Sequence, residues 1–212
     1  MEALEQISST LALSMGLAWA SGINLYATLL TLGLMANTGN MVLPDDLQIV
    51  ANPLVMVAAG LMYGVEFFAD KTPGVDTGWD AIHTFVRIPA GAMLAAGAVG
   101  DLNPAVEVAA ALLGGGLAAG THATKAGSRV LINTSPEPFS NWLASVGEDV
   151  AVIGGVWASV KHPAVFLLGL FLFIIAMICL LPRLWTGIKR AVEKISRYFQ
   201  RDGAVGEQHP PQ

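Results

Sequence analysis

Of the 212 residues, 54% are hydrophobic and only 13% charged, roughly half the charged share of a soluble domain. A net charge of −5 and 23 glycines in so apolar a chain exclude a soluble catalytic domain and a nucleic-acid binder. They indicate one integral membrane domain whose small residues let helices pack closely in lipid.

No Lys or Arg precedes the first apolar run, which argues against a secretory signal and for a retained first segment. Ile7 to Ala36 carries no charge and, at about 1.5 Å per residue, exceeds what a ~30 Å hydrocarbon core requires. In its middle, Ser21, Gly22 and Asn24 combine weak helix propensity with competing side-chain hydrogen bonds. The segment is therefore one long tilted helix, a broken helix, or a re-entrant hairpin. Asn52-Pro53 opens a second span that reaches Glu66.

Residues 66–87 read EFFADKTPGVDTGWDAIHTFVR. Glu66 and Asp70, Asp76 and Asp80, and His83 and Arg87 each stand four apart, so a helix sets each pair on one face. A solvated loop is the plain alternative. Charges flanked by such apolar runs are costly in a membrane, which favours a polar site. Pro73-Gly74 marks a turn, and Thr77 with Asp80 has the spacing of a capping box. Pro89 falls in the first turns of the third span, Phe85 to Val99.

The fourth segment, Ala105 to Asn133, is interrupted by GGGLAAGTHATKAGSR. His122, Lys125 and Arg129 share one helical face, where the two cations repel unless an acid or an anionic ligand lies between them. The alternative is that both snorkel to the interface as anchors. Span five, from about Ser140, carries Glu148 and Asp149, whose natural partners are Lys125, Arg129 and Arg87. Span six follows Lys161-His162-Pro163, runs through Leu181, and holds the single cysteine, Cys179, as a lipid-facing or packing residue. Residues 183–201 place Leu184, Ile188, Val192, Ile195 and Phe199 on one stripe with basic residues elsewhere, an interfacial amphipathic helix attracted to anionic lipid. The tail from 202 to 212 reads as disordered.

The halves, about 7–100 and 104–182 of a membrane domain spanning 1–182, share an order: a long interrupted segment, one with an acid near its end, and one opening on a cation and proline. The expected fold is all-α, about six transmembrane segments as two inverted three-helix repeats, the first segment of each broken or re-entrant. If all six segments cross, the basic C-terminus puts both termini in the cytoplasm, with the protein in an inner membrane.

The residues ASGINLY, E-FFADK-PGVD-WD-IHTFVR-PAGA and AAGTHATKAGSR, followed by SPEPFSNW and GED, resemble a bacterial integral membrane family catalogued as domain of unknown function 4126. The resemblance covers residues 11 to 181 and implies an architecture without an activity.

These features lead to an expected small transporter or lipid flippase for a phosphate- or carboxylate-bearing substrate. Ser21, Asn24, Arg87, His122, Lys125 and Arg129 are its candidate substrate ligands. Glu66, Asp70, Asp76, Asp80, Glu148 and Asp149 are the candidate proton- or cation-coupling groups. One alternative is an assembly or structural protein whose charges simply pair. Another is a metal-dependent intramembrane enzyme using the acids with His83, although no H-E-x-x-H or G-x-S-x-G motif is present. No cofactor is expected, membrane lipids are the expected partners, and a homodimer is compatible with so small a bundle.

Overall fold

The computed structural model describes residues 2–72, 74–133 and 138–206. Among these there is no strand. The helices are α1 Glu2–Ile23, α2 Leu25–Asn37, α3 Pro53–Ala69, α4 Val75–Val99, α5 Pro104–Ile132, α6 Pro138–Lys161 and α7 Pro163–Gly206, with 3-10 turns at Asp45–Ala51 and Gly100–Leu102. Helices α4 to α7 are long and apolar enough to cross a membrane, and the Asp45–Ala51 turn with α3, bent by 64°, makes a fifth candidate span. Large apolar side chains such as Leu54, Leu61, Phe85, Met93, Leu112 and Phe171 point outward, as a lipid-facing surface requires.

Asn24 ends the first helix and starts the second. Its backbone is extended (φ −147°, ψ 100°), and its side-chain oxygen accepts from Ala27 N at 2.9 Å as an N-cap. The chain reverses there, as the neighbours of each arm demonstrate. α4 is antiparallel to α1, because Ser14 Oγ donates to Ala95 O and Ser21 Oγ to Arg87 O. α6 is antiparallel to α1 as well, with Ser159 against Gly16 and Trp19 against Gly155. Asn24 meets Asp149 of α6, whereas Asn40 meets Lys161. α2 thus runs back along α6 toward the side of the bundle from which α1 comes. The first segment is a helical hairpin with its apex at Ile23 and Asn24.

The counterpart segment behaves differently. α5 is unbroken over 29 residues and runs parallel to α1, with Ala18 beside Gly114 and Gly22 beside Ala118. Its glycines serve close approach rather than a break: a Cβ on Gly120 would lie 2.8 Å from Met177 Sδ, and one on Gly114 would overlap Ala95. The break expected in this second long segment is therefore absent, and the structure does not confirm the six-span inverted repeat.

Other boundaries also shift. α4 begins at Val75, so Pro89 lies well inside the helix rather than in its first turns. Gly74 (φ 86°) precedes α4 without a side-chain cap, and Asp76 Oδ1 receives Gly74 N (2.9 Å) and Thr77 N (2.6 Å), so the Thr77–Asp80 pair is no capping box. α7 continues through Pro182 without a break and remains helical to Gly206, past the expected start of the disordered tail at 202. Leu184 and Ile188 of its stripe pack on Gly127 of α5 instead of lying on lipid. Val192, Ile195 and Phe199 lie outside the described side chains, and 207–212 outside the described residues. Cys179 is exposed on α7.

Candidate functional site

Beneath the hairpin apex, charged side chains from α3, α4, α5 and α6 converge, all of them buried except Glu148 of α6, whose side chain is 21% exposed. Glu66 and Asp70 come from the end of α3, where the helix stops at its Asp70 cap. Asp80 and Arg87 sit seven apart, two turns along one face of α4, which lets the Arg87 Nη1 reach Asp80 Oδ1 at 2.8 Å. Its Nη2 reaches Glu66 Oε1 at 2.6 Å, and both Arg87 and Glu66 are fully buried. Such charge-assisted pairs form only where each partner compensates the other's desolvation.

Lys125 of α5 occupies the middle. Its Nζ lies 2.8 Å from Asp70 Oδ2, 3.6 Å from Glu66 Oε1, 3.7 Å from Asp80 Oδ1 and 3.6 Å from Glu148 Oε2. It also donates to Ile23 O, at the C-terminal end of α1, at 3.1 Å. One turn on, Arg129 Nη2 pairs with Glu148 Oε2 at 2.7 Å, while Nη1 donates to Asp70 O (3.1 Å) and Asn141 O (3.0 Å). Neither cation snorkels: Arg129 is 0% exposed and Lys125 6%. The acids that separate them are Asp70 and Glu148, so the repulsion expected along this face of α5 is relieved by protein carboxylates.

His122 completes the cluster. Arginine only donates, so the 3.1 Å contact of Arg87 Nη1 with His122 Nδ1 makes that nitrogen an acceptor and puts the ring proton on Nε2. Nε2 faces Asp80 O at 3.1 Å and Thr84 Oγ1 at 2.8 Å, so the imidazole is held neutral in one tautomer.

Of the candidate residues, Glu66, Asp70, Asp80, Arg87, His122, Lys125, Arg129 and Glu148 meet here, while Ser21 Oγ donates to the main-chain carbonyl of Arg87 at 3.0 Å. Asn24 and Asp149 form an adjoining pair (Asn24 Nδ2 to Asp149 Oδ1, 3.1 Å) that Tyr63 also faces. Asp76 stands apart: both of its carboxylate oxygens accept from Asn133 Nδ2 at 2.9 Å. Asn133 then accepts from Asn141 at 2.6 Å, and Asn141 touches Arg129, so Asp76 joins the cluster through two amides. His83 points elsewhere, to Tyr26 and a stacked Trp79.

Sequence reasoning passed over Asn141, Ser145 and Lys71. Asn141 and Ser145 share the face of α6 that bears Asp149, at four-residue steps, and that spacing was the available signal. Lys71, in the turn after α3, donates to Ser145 Oγ at 3.0 Å and lies over the Phe67 ring. Desolvation lowers its pKa below the ordinary lysine value.

The charge balance is uneven. Arg87, Lys125 and Arg129 face Glu66, Asp70, Asp80 and Glu148, one negative charge in excess. Glu66 Oε2, Asp70 Oδ1 and Asp80 Oδ2 are buried without a hydrogen-bond partner. Among the described residues, no three His, Cys, Asp or Glu side chains converge tightly enough to hold a metal ion, so the metal-enzyme alternative gains no centre here.

No curated protein and no solved structure matches the chain. A family model described as "Domain of unknown function (DUF4126)" matches residues 11–183. With most of its length covered by that model, including the hairpin and every member of the charge cluster, the chain belongs to the DUF4126 family.

Proposed function

We propose that the protein is a small membrane carrier in which the cluster under the hairpin apex is the coupling site for a proton or monovalent cation. The observation that carries this reading is the surplus of buried carboxylate around Lys125, with three carboxylate oxygens lacking a partner. A cluster short of positive charge gains from taking up a cation or proton, and helix breaks that expose backbone carbonyls at depth are a recurrent feature of ion-coupled carriers. The anionic substrate expected from the sequence fits this site in one way. Glu148, with 21% of its side chain exposed, is the outermost acid, and a phosphate or carboxylate arriving from that side would exchange with it on Arg129.

In this reading the protein lies in the inner membrane with the α7 end cytoplasmic. Arg183, Lys189 and Arg190 lie in the C-terminal half of α7, and their positive charge draws anionic lipid.

The test is charge displacement on solid-supported membranes carrying the reconstituted protein, with steps of proton, sodium and potassium concentration. Wild type is expected to give a cation-dependent transient that Glu66→Gln and Asp70→Asn abolish and Glu107→Gln, at the opposite end of the bundle, retains. No transient with any of the three ions sinks the carrier reading.

A structural protein is the second reading, favoured by the observation that each cation already has a protein partner within 2.8 Å. Under it, the exchange Arg129→Glu with Glu148→Arg restores whatever each single change loses. Under the carrier reading, the swapped pair folds without carrying charge.

A further inference from the structure

We infer that the Lys125 ammonium is a tethered occupant of a monovalent-cation site, and that a free ammonium- or potassium-sized ion takes its place when the side chain is absent. The inference deepens the carrier reading, on which it rests for its purpose but not for its geometry.

Five oxygens from four helices surround Lys125 Nζ between 2.8 and 3.7 Å: Asp70 Oδ2, Ile23 O, Glu66 Oε1, Glu148 Oε2 and Asp80 Oδ1. A pair needs one acid, whereas here four carboxylates and a main-chain carbonyl turn toward one nitrogen. Ile23 O belongs to the last residue of α1, where the helix end carries partial negative charge and favours a cation. The arrangement is a cage for a cation, and the cation it holds is covalently attached to α5.

Two further observations point to a ligand. The second oxygens of Glu66, Asp70 and Asp80 are buried without partners, on side chains at most 3% exposed, so each of these acids has an acceptor to spare for an ion. Moreover, without Lys125 the remaining Arg87 and Arg129 face four carboxylates, two negative charges in excess, and buried charge of that size draws in a counter-ion. Contacts of 2.8 to 3.7 Å suit an ammonium or a large monovalent ion, being too long for magnesium or calcium, which need oxygens at about 2.0–2.6 Å. The partly exposed Glu148 marks the side from which an ion reaches the cage.

The experiment compares wild type, Lys125→Ala, and Lys125→Ala with Asp70→Asn, purified in mild detergent. Thermal midpoints are measured against ammonium, methylammonium, potassium and N-methylglucamine chlorides at equal ionic strength. Lys125→Ala is expected to gain stability saturably with the small cations and not with N-methylglucamine. The gain should exceed that of wild type, whose cage Lys125 already fills, and the double variant should show only the common ionic-strength response.

If Lys125→Ala is recovered poorly, the readout becomes the monodisperse fraction extracted in ammonium chloride against N-methylglucamine chloride. Recovery in the first alone supports the cage. A flat response of folded Lys125→Ala, or equal loss in both salts, overturns it. Saturable cation binding by Lys125→Ala beside a wild type that displaces no charge would keep the cage and remove the carrier. Charge displacement by wild type with no cation response in Lys125→Ala would do the reverse.

Discussion

Arg87 is the residue on which the cluster turns, because both terminal nitrogens of one fully buried guanidinium hold acids from different helices. Arg87→Met leaves Glu66 and Asp80 charged and without that partner, and breaking a buried pair by removing one member costs about 3–5 kcal/mol. Arg87→Met is therefore expected to unfold at markedly lower denaturing detergent than wild type. Adding Glu66→Gln and Asp80→Asn should recover much of the loss, since neutral amides need no counter-charge. Single and triple variants of equal stability would show that Arg87 does not hold this pair of helices. The participants were legible from sequence: acids and cations in apolar runs have few places to go, and His122, Lys125 and Arg129 do share a face. The pairing was legible only in part: Glu148 does meet Arg129 and Lys125, two of the partners expected for it. Four-residue spacing set residues on one helical face and said nothing of partners across helices, where Lys125 and Asp70 meet across 55 positions and Arg87 and Glu66 across 21, a juxtaposition that only the packing of α3, α4 and α5 creates.

Helix α1 owes its position to small residues, and α2 its direction to one asparagine. Gly22 lies so close to α5 that an added Cβ would stand 2.6 Å from Ala118 O and 2.8 Å from Thr121 Cβ. Gly22→Ala must move α1 off α5 next to the apex, with an expected loss of about 1–3 kcal/mol. Gly116→Ala, in the same glycine run but facing open space, should be neutral or slightly stabilising through its better helix propensity. Unfolding midpoints of the two variants check this, and equal effects would mean that the α1–α5 contact is not tight. The same contrast explains why two segments that look alike in sequence fold differently. Asn24 has a side chain able to cap a new helix and a partner in Asp149 to fix it, so the break is stable. The glycines of α5 offer no such cap, their backbone stays hydrogen-bonded, and their missing side chains are used for packing against Ala95, Ala92 and Met177. A glycine-rich interruption is ambiguous in sequence because breaking a helix and packing it closely call for the same residue.

For the whole molecule, one reversal decides the topology. With α3 and its 3-10 turn counted as one span, the hairpin leaves five candidate spans, α3 to α7, and Glu2 and Arg190 come to opposite ends of the bundle. The packing agrees: α1 starts beside the α4–α5 turn, in a groove of about 570 Å³ lined by Ala3, Ile7, Val99 and Val106, whereas Gly187 of α7 packs on Leu131 near the other end of α5. The expectation of both termini on one side followed from counting six crossings, and pairing both long segments as hairpins would have preserved it. Reversing only the first removes one crossing. On the proposed reading, Arg183, Lys189 and Arg190 stand at the α7 end while Glu2, Glu5, Asp45 and Asp46 stand with Lys161 at the other, and the positive-inside rule then assigns Arg190 to the cytoplasm and Glu2 to the outside. In a Cys179→Ser background, Glu2→Cys is expected to react with an impermeant maleimide in intact spheroplasts, and Arg190→Cys only after permeabilisation. Protection of both sites until permeabilisation would mean that α2 crosses instead of returning. The apex carbonyl of Ile23 would then no longer sit against Lys125, and the cage built around that ammonium would lose one wall.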